Sequence, residues 1–140
     1  MSSTYNDIRA AIEGRIATEM ALSPSYPVAY QNVPFTPPNN STWLQVFLLF
    51  GANNYATLVG PSTGFNAQNG TLTINTFTPV GAGAAANYTI VERVKDLFDR
   101  QTVSSIIFDA ASGPSVVRPS SPDSAFFQTQ LVITFTCYVD

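Results

Sequence analysis

Apolar residues recur near every fourth position at the start of the chain: Tyr5, Ile8, Ile12, Ile16 and Met20. That spacing places them on one face and predicts an amphipathic helix over 4–22. Thr4 and Asp7 fit a Thr-x-x-Asp start, the hydroxyl capping the first turn and the carboxylate favoured by the helix dipole. Arg15 and Glu19 are spaced to pair at i, i+4, and Ser23-Pro24 stops the helix. A shorter period then takes over. Residues 27–32 suit a short strand. Pro34, Pro37 and Pro38 make the next segment a rigid loop rather than part of a ladder. Residues 43–50 read WLQVFLLF, in which only Gln45 is polar. Alternation sends Leu44, Val46, Leu48 and Phe50 to one side and Trp43, Phe47 and Leu49 to the other. A strand apolar on both faces is expected where a sheet is covered on both sides.

Residues 51–69, GANNYATLVGPSTGFNAQN, are polar and Gly-rich. They predict a long loop with at most an irregular strand at 55–59, and loops of that length in a small domain are functional or disordered as a rule. A Thr-rich strand follows over 70–78, with Leu72 and Ile74 on its more buried face and Phe77 on the other. GAGAAAN leads into a second helix over 84–100, with Ala84, Tyr88, Val91, Val94, Leu97 and Phe98 as its apolar stripe and Asp96 and Arg100 spaced to pair. Beyond 104–109 comes a turn around Ser112-Gly-Pro, a short run at 116–118, a turn at 119–123 and a long closing strand over 126–138. In that strand Phe127, Leu131, Ile133, Phe135 and Cys137 supply apolar bulk, and Gln128, Gln130, Thr134 and Thr136 a wetter face. No internal repeat is visible. The pattern predicts one α+β domain over 1–140: a mostly antiparallel, or mixed, β-sheet with two α-helices packed on one face. Helices then cover one side of 43–50. The long loop or a neighbouring subunit must shield Trp43, Phe47 and Leu49.

Composition sharpens this picture. A chain of 140 residues can bury roughly 68–70% of its unfolded surface without a metal or disulfide staple. The single cysteine, Cys137, excludes an internal disulfide and a multi-cysteine zinc site, and its default reading is a small buried hydrophobe. The first fifteen residues carry acids and no apolar core, unlike a secretory signal. The longest apolar run, 46–50, falls far below the ~20 residues of a membrane span. Charged residues make up 11%, against a usual ~25%. Between Met20 and Val91 there is no Asp, Glu, Lys or Arg. That stretch builds either a hydroxyl and amide surface facing water or a surface that meets protein, where charge would cost desolvation.

Candidate chemistry is thin. The chain has no His, which removes the usual general base and the commonest metal ligand. Lys95, the one lysine, shares a helix surface with Glu92, Arg93, Asp96, Asp99 and Arg100, a mixture that reads as a solvated face and not as a paired-carboxylate site. GAGAAAN lacks the Gly-x-x-x-x-Gly-Lys-Ser/Thr pattern of a phosphate loop and reads as a flexible lead into the helix. Six basic residues scattered over an acidic chain make no phosphate-tracking patch. No catalytic residue, metal ligand set or cofactor is predicted.

One order of segments is distinctive. YNDIRAAIEGRI is followed by PVAYQNVPFTPPNNSTWLQVFLLF, a Gly-rich segment, FTPVGAGAA, a helix ending RVKDLFDR, and FFQTQLVITFTCYV. Over essentially the whole chain this order resembles the tail terminator proteins of long-tailed bacteriophages. NVPFTPP…WLQV, Pro-Val-Gly-x-Gly and LFDR are its most specific pieces. The resemblance implies a virion structural protein of the tail, assembled in the host cytoplasm, and no enzyme. It implies a homo-oligomeric ring, typically a hexamer, that caps the head-proximal end of the tail tube and ends its polymerisation. Such a ring joins the tube protein to the neck connector, and to the last sheath ring in a contractile tail; DNA passes through without specific binding. For the contacts between subunits or partners the resemblance directs attention to Trp43, Phe47, Tyr55, Leu58 and Phe65; for Trp43 and Phe47 a place in the chain's own core is the alternative, and the favoured one. Two other readings share the pattern: another neck or head-closure ring protein, and a carbohydrate- or ligand-binding β-rich module using Trp43, Tyr55 and Asn53/Asn54 as an aromatic and amide platform.

Overall fold

The computed structural model describes residues 4–38, 40–56, 65–81, 83–118 and 126–139. Helix α1 (Tyr5–Met20) is followed by strands β1 (Val28–Tyr30), β2 (Trp43–Tyr55) and β3 (Asn66–Pro79). Helix α2 (Ala84–Phe98), short strands β4 (Thr102–Val103) and β5 (Ile106–Phe108), β6 (Ser112–Arg118) and β7 (Phe126–Val139) complete the chain. The strands form one sheet in the order β1-β2-β3-β7-β5-β4, with β6 also on β7, beside β5. Only β1 and β2 pair in parallel; all other pairs are antiparallel. The expected α+β fold, with a mixed but mostly antiparallel sheet and two helices on one face, is the fold observed.

The inner face follows the predicted alternation. Leu44, Val46 and Leu48 of β2 lie opposite Thr76, Ile74 and Leu72 of β3. On β7, Leu131, Ile133, Phe135 and Cys137 share that face. Ile8, Ile12, Ile16 and Met20 of α1 and Ile90, Val91, Val94 and Phe98 of α2 close over it as one core. Burying a side chain of this size is worth about 1.5–3 kcal/mol, so this layer carries most of the hydrophobic stabilisation. Cys137 is fully buried here, as a small hydrophobe should be.

The caps are more particular. Thr4 and Asp7 form the predicted capping box on α1. The last turn of α1 has no basic residue of its own; Arg93 of α2 supplies one. Its guanidinium donates to the Glu19 carboxylate at 2.7 Å and to the Glu19 and Leu22 carbonyls at 2.7 and 3.3 Å. In return, Arg15 of α1 donates to the Leu97 carbonyl in the last turn of α2 at 2.7 Å. Each helix thus receives, at carbonyls of its last turn or just beyond, a charged donor from the other. The expected Arg15–Glu19 pair is replaced by these cross-helix contacts. The expected Asp96–Arg100 pair has no helix to hold it, because α2 ends at Phe98 and Arg100 takes φ +58°.

The stripe of α2 is also rotated from its predicted position. Ala84 and Tyr88 are exposed, and Asn87 is fully buried instead. The Asn87 amide donates to the Thr76 carbonyl, the Thr78 hydroxyl and the Phe127 carbonyl, and its oxygen accepts from the Thr129 hydroxyl at 2.6 Å. A polar residue can occupy the core because its hydrogen-bonding groups are met there. Here it ties the start of α2 to the two central strands.

Candidate assembly interface

Among the described residues, no helix lies on the outer face of the sheet. Trp43, Gln45, Phe47 and Leu49 of β2 lie beside Phe77, Asn75, Thr73 and Thr71 of β3. Gln128, Gln130, Val132 and Thr134 of β7 continue the rows. At one end the aromatic side chains cover themselves. Trp43 stacks on Phe77 with centroids 4.0 Å apart, and Phe35 and Phe126 pack around the pair. Along the middle, Asn75 donates to the Gln45 side chain at 3.0 Å. Two buried polar atoms of this face, the Trp43 indole N–H and Asn75 Oδ1, have no partner among the described residues. Toward the other end Leu49, Ile107 and Tyr138 are exposed. Asp109, at the margin, accepts from the Thr134 hydroxyl at 2.6 Å. None of the face residues named on β2, β3 and β7 is Asp, Glu, Lys or Arg. On the β1 side a groove is lined by Tyr30, Val33, Phe35, Pro37, Gln45 and Phe47. Burial, and secondarily the negative charge of Glu13, raise the Tyr30 phenol pKa above its ordinary value, so the phenol stays neutral.

The second feature is an arm. The sequence reading places a loop at 51–69, but β2 runs on to Tyr55 and β3 begins at Asn66, and the Ala56 N–H still bonds the Phe65 carbonyl at 3.0 Å. The polar, Gly-rich composition hides the strand because its pairing is set by neighbours, not by its own propensity. The ladder shifts register between Phe50 and Asn53: Phe50 lies opposite Gly70 and Asn53 opposite Gln68. One extra residue on β2 makes a bulge, which twists and re-aims the strand.

Gln68 holds that bulge. Its side chain is buried, donates to the Gly51 and Asn69 carbonyls at 3.0 and 2.8 Å, and accepts from the Tyr5 hydroxyl at 3.3 Å. Beside it, Gly70 leaves the space that the Phe135 ring occupies; a Cβ there would collide with the ring. Phe135 in turn meets Phe50 and Phe108, and Phe50 meets Tyr5. The arm is therefore a braced extension of β2, β3 and the end of β7.

The sequence-selected contact residues fall into different surroundings. Trp43 is buried in its own chain's aromatic cluster, only 9% exposed. It therefore forms no open platform of the kind a sugar-binding module would use. Phe47 is half-buried on the outer face, beside the groove. Tyr55, 84% exposed, and Phe65 are on the arm. Leu58 lies outside the described residues. Sequence reading passes over Gln68, which signals nothing until its neighbours are known. It also passes over Tyr138 as a surface residue, whereas Leu49, expected to need a cover, is exposed.

Other features exclude rather than assign. Among the described residues no group of three or more His, Cys, Asp or Glu could hold a metal ion. No described helix is long and apolar enough to cross a membrane.

Comparison with known proteins agrees with the sequence resemblance. A solved structure with 22% identity superposes with a TM-score of 0.69, over 95% of this chain and 94% of its own. At that identity the match shows a shared fold. No curated protein matches. A family model described as phage tail terminator protein matches residues 7–120. That stretch takes in α1 from Asp7 onward, α2, the whole of β1 to β6 and the β2–β3 part of the arm. The chain belongs to the phage tail terminator protein family, a family of structural proteins of the phage tail.

Proposed function

We propose that this protein forms a ring, of six subunits by the family's habit, that caps the head-proximal end of the tail tube. Capping ends tube growth because one face of the ring copies the tube's binding surface and the other accepts no further tube subunit. The same ring offers the joint to the neck connector, and to the last sheath ring in a contractile tail, while DNA passes through ungripped. The family match over residues 7–120 carries the reading.

The uncharged outer face and the braced arm support it. A closed ring joins one patch to a different patch on the next copy, and such patches are depleted in charge at their centres. Phe47, Leu49, Tyr55, Phe65 and Tyr138 are the residues proposed for these contacts, with Trp43 as the buried support beneath them.

The test is to inactivate the gene in its parent genome and image the tails by electron microscopy. Abnormally long, headless tubes are expected. Tubes of normal length that fail to join heads would move the protein to the neck connector. Normal infectious particles would overturn the structural reading.

A further inference from the structure

The outer edge of β2 is open along the arm. β1 covers that edge only at Leu44, Gln45 and Val46, and the Gln31 side chain then accepts from the Leu48 N–H at 3.1 Å. Beyond Leu48, among the described residues, no strand pairs with this edge. The Leu44 N–H donates to the Pro27 carbonyl on the β1 side, so alternate residues as far as Phe50 turn their backbone groups outward. The Ala56 N–H points inward to Phe65. After the bulge it is therefore Asn53 and Tyr55 that face outward. Soluble proteins protect such edges with charge, proline or a covering segment. Residues 50–55, FGANNY, carry neither charge nor proline.

On the opposite side of the sheet, among the described residues, no strand pairs with the outer side of β6, whose side chains are exposed over residues 112–117. We propose that residues 50–55 of β2 pair with β6 of the next copy, so that the sheet continues from subunit to subunit. This rests on the ring reading and names the joint within it.

Direction supports the match. β2, β3, β7 and β6 are successively antiparallel, so β6 runs opposite to β2. Copies related by rotation about an axis along the strands would then present the two edges antiparallel. Level supports it too. β6 lies against residues 128–132 of β7, whereas the arm is level with the far end of β7. Joining them staggers the strands, as closure of a sheet into a ring requires. Val116 and Val117, both about half exposed, would bring apolar side chains to the joint, with Val116 opposite Asn53. Pro114 has no N–H, which leaves residues 115–118 to form the ladder.

The test is oxidative cross-linking of a variant carrying both Asn53→Cys and Val116→Cys, as purified protein and in tails from infected cells. A ladder of covalent multimers is expected from the double variant and monomer alone from each single variant. Rings seen by microscopy without a ladder would overturn the joint and leave the ring reading standing. A covalent dimer from Asn53→Cys alone would replace it with two-fold β2–β2 pairing. Absence of rings in both preparations would overturn the ring reading and the joint with it. Tyr55→Pro, compared with Tyr55→Ser, provides a second check, because it also removes an outward N–H and leaves the β2–β3 ladder intact. The melting temperature should hold and ring assembly should fall at least ~10-fold below that of Tyr55→Ser, the loss expected for a desolvated backbone contact; equal assembly by the two variants would overturn the joint.

Discussion

The two faces of this sheet are made by the same strands and obey different rules. The inner face meets two helices from its own chain. There β2 and β7 put Leu, Val, Ile and Phe, and even a buried Asn87 has its partners supplied. Among the described residues, the outer face is covered by its own chain chiefly at the aromatic cluster around Trp43. It is built from Thr, Asn and Gln with exposed Leu49 and Tyr138. Charge divides the same way: the helices carry Arg9, Glu13, Arg15, Glu19, Glu92, Arg93, Lys95 and Asp96, while charge is absent from the outer rows of β2, β3 and β7. A water-facing surface gains solubility from charge; a surface that docks on protein would have to desolvate it. The inner face should therefore govern stability and the outer face assembly.

Substitutions can break that division, and the largest effect should come from the inner face. Phe135→Ala removes the ring that fills the space over Gly70 and touches Phe50 and Phe108. About 3–5 kcal/mol of stability should be lost, measured by denaturant unfolding. A loss below ~1 kcal/mol would mean that the arm does not depend on this brace. Asn87→Ala should cost less, roughly 2–3 kcal/mol, because it strands the Thr129 and Thr78 hydroxyls and two carbonyls without partners. Restored stability in Asn87→Leu would show that filling the volume matters more than the hydrogen bonds.

Arg93→Ala tests the helix layer. It uncovers the end of α1 and should cost about 1–2 kcal/mol, since hydrogen bonds from a charged donor are worth more than neutral ones. Arg93→Lys should recover only part of this, because an ammonium cannot reproduce the fork. The smallest effect on stability sharpens the comparison most. Tyr55→Ser, at a side chain left 84% exposed, should change unfolding free energy by no more than ~0.5 kcal/mol and yet impair tail assembly in a complementation assay. If stability fell and assembly did not, the assignment of the two faces would be reversed.

Much of the fold was legible in the chain. The Ile8, Ile12, Ile16 and Met20 stripe, the Thr4–Asp7 capping box and the alternation in β2 and β7 are local signals. Each depends on spacing along one element, which sequence displays directly. The misreadings have a common cause. Asn87 reads as polar and therefore as surface, although the hydroxyls and carbonyls it serves belong to β3 and β7, distant in sequence. Arg15 appears matched to Glu19 on its own helix, and only the packing of two helices shows that each arginine serves the other's end. The arm reads as a loop because Gly51, Asn53 and Asn54 have poor strand propensity, and pairing with β3 overrides it.

The same distinction holds for the candidate interface. Sequence alone determined that residues 20–91 are uncharged and that one strand is apolar on both faces, because composition and alternation are properties of the chain itself. It also carried the family resemblance, since that rests on the order of short segments. Tertiary structure decided which of those apolar residues stay inside. Trp43 found Phe77, Phe35 and Phe126 within its own chain, whereas Tyr55, projected past a bulge held by Gln68, found no such cover. Exposure and open strand edges depend on what folding brings alongside a residue, and that depends on contacts between elements far apart in the chain.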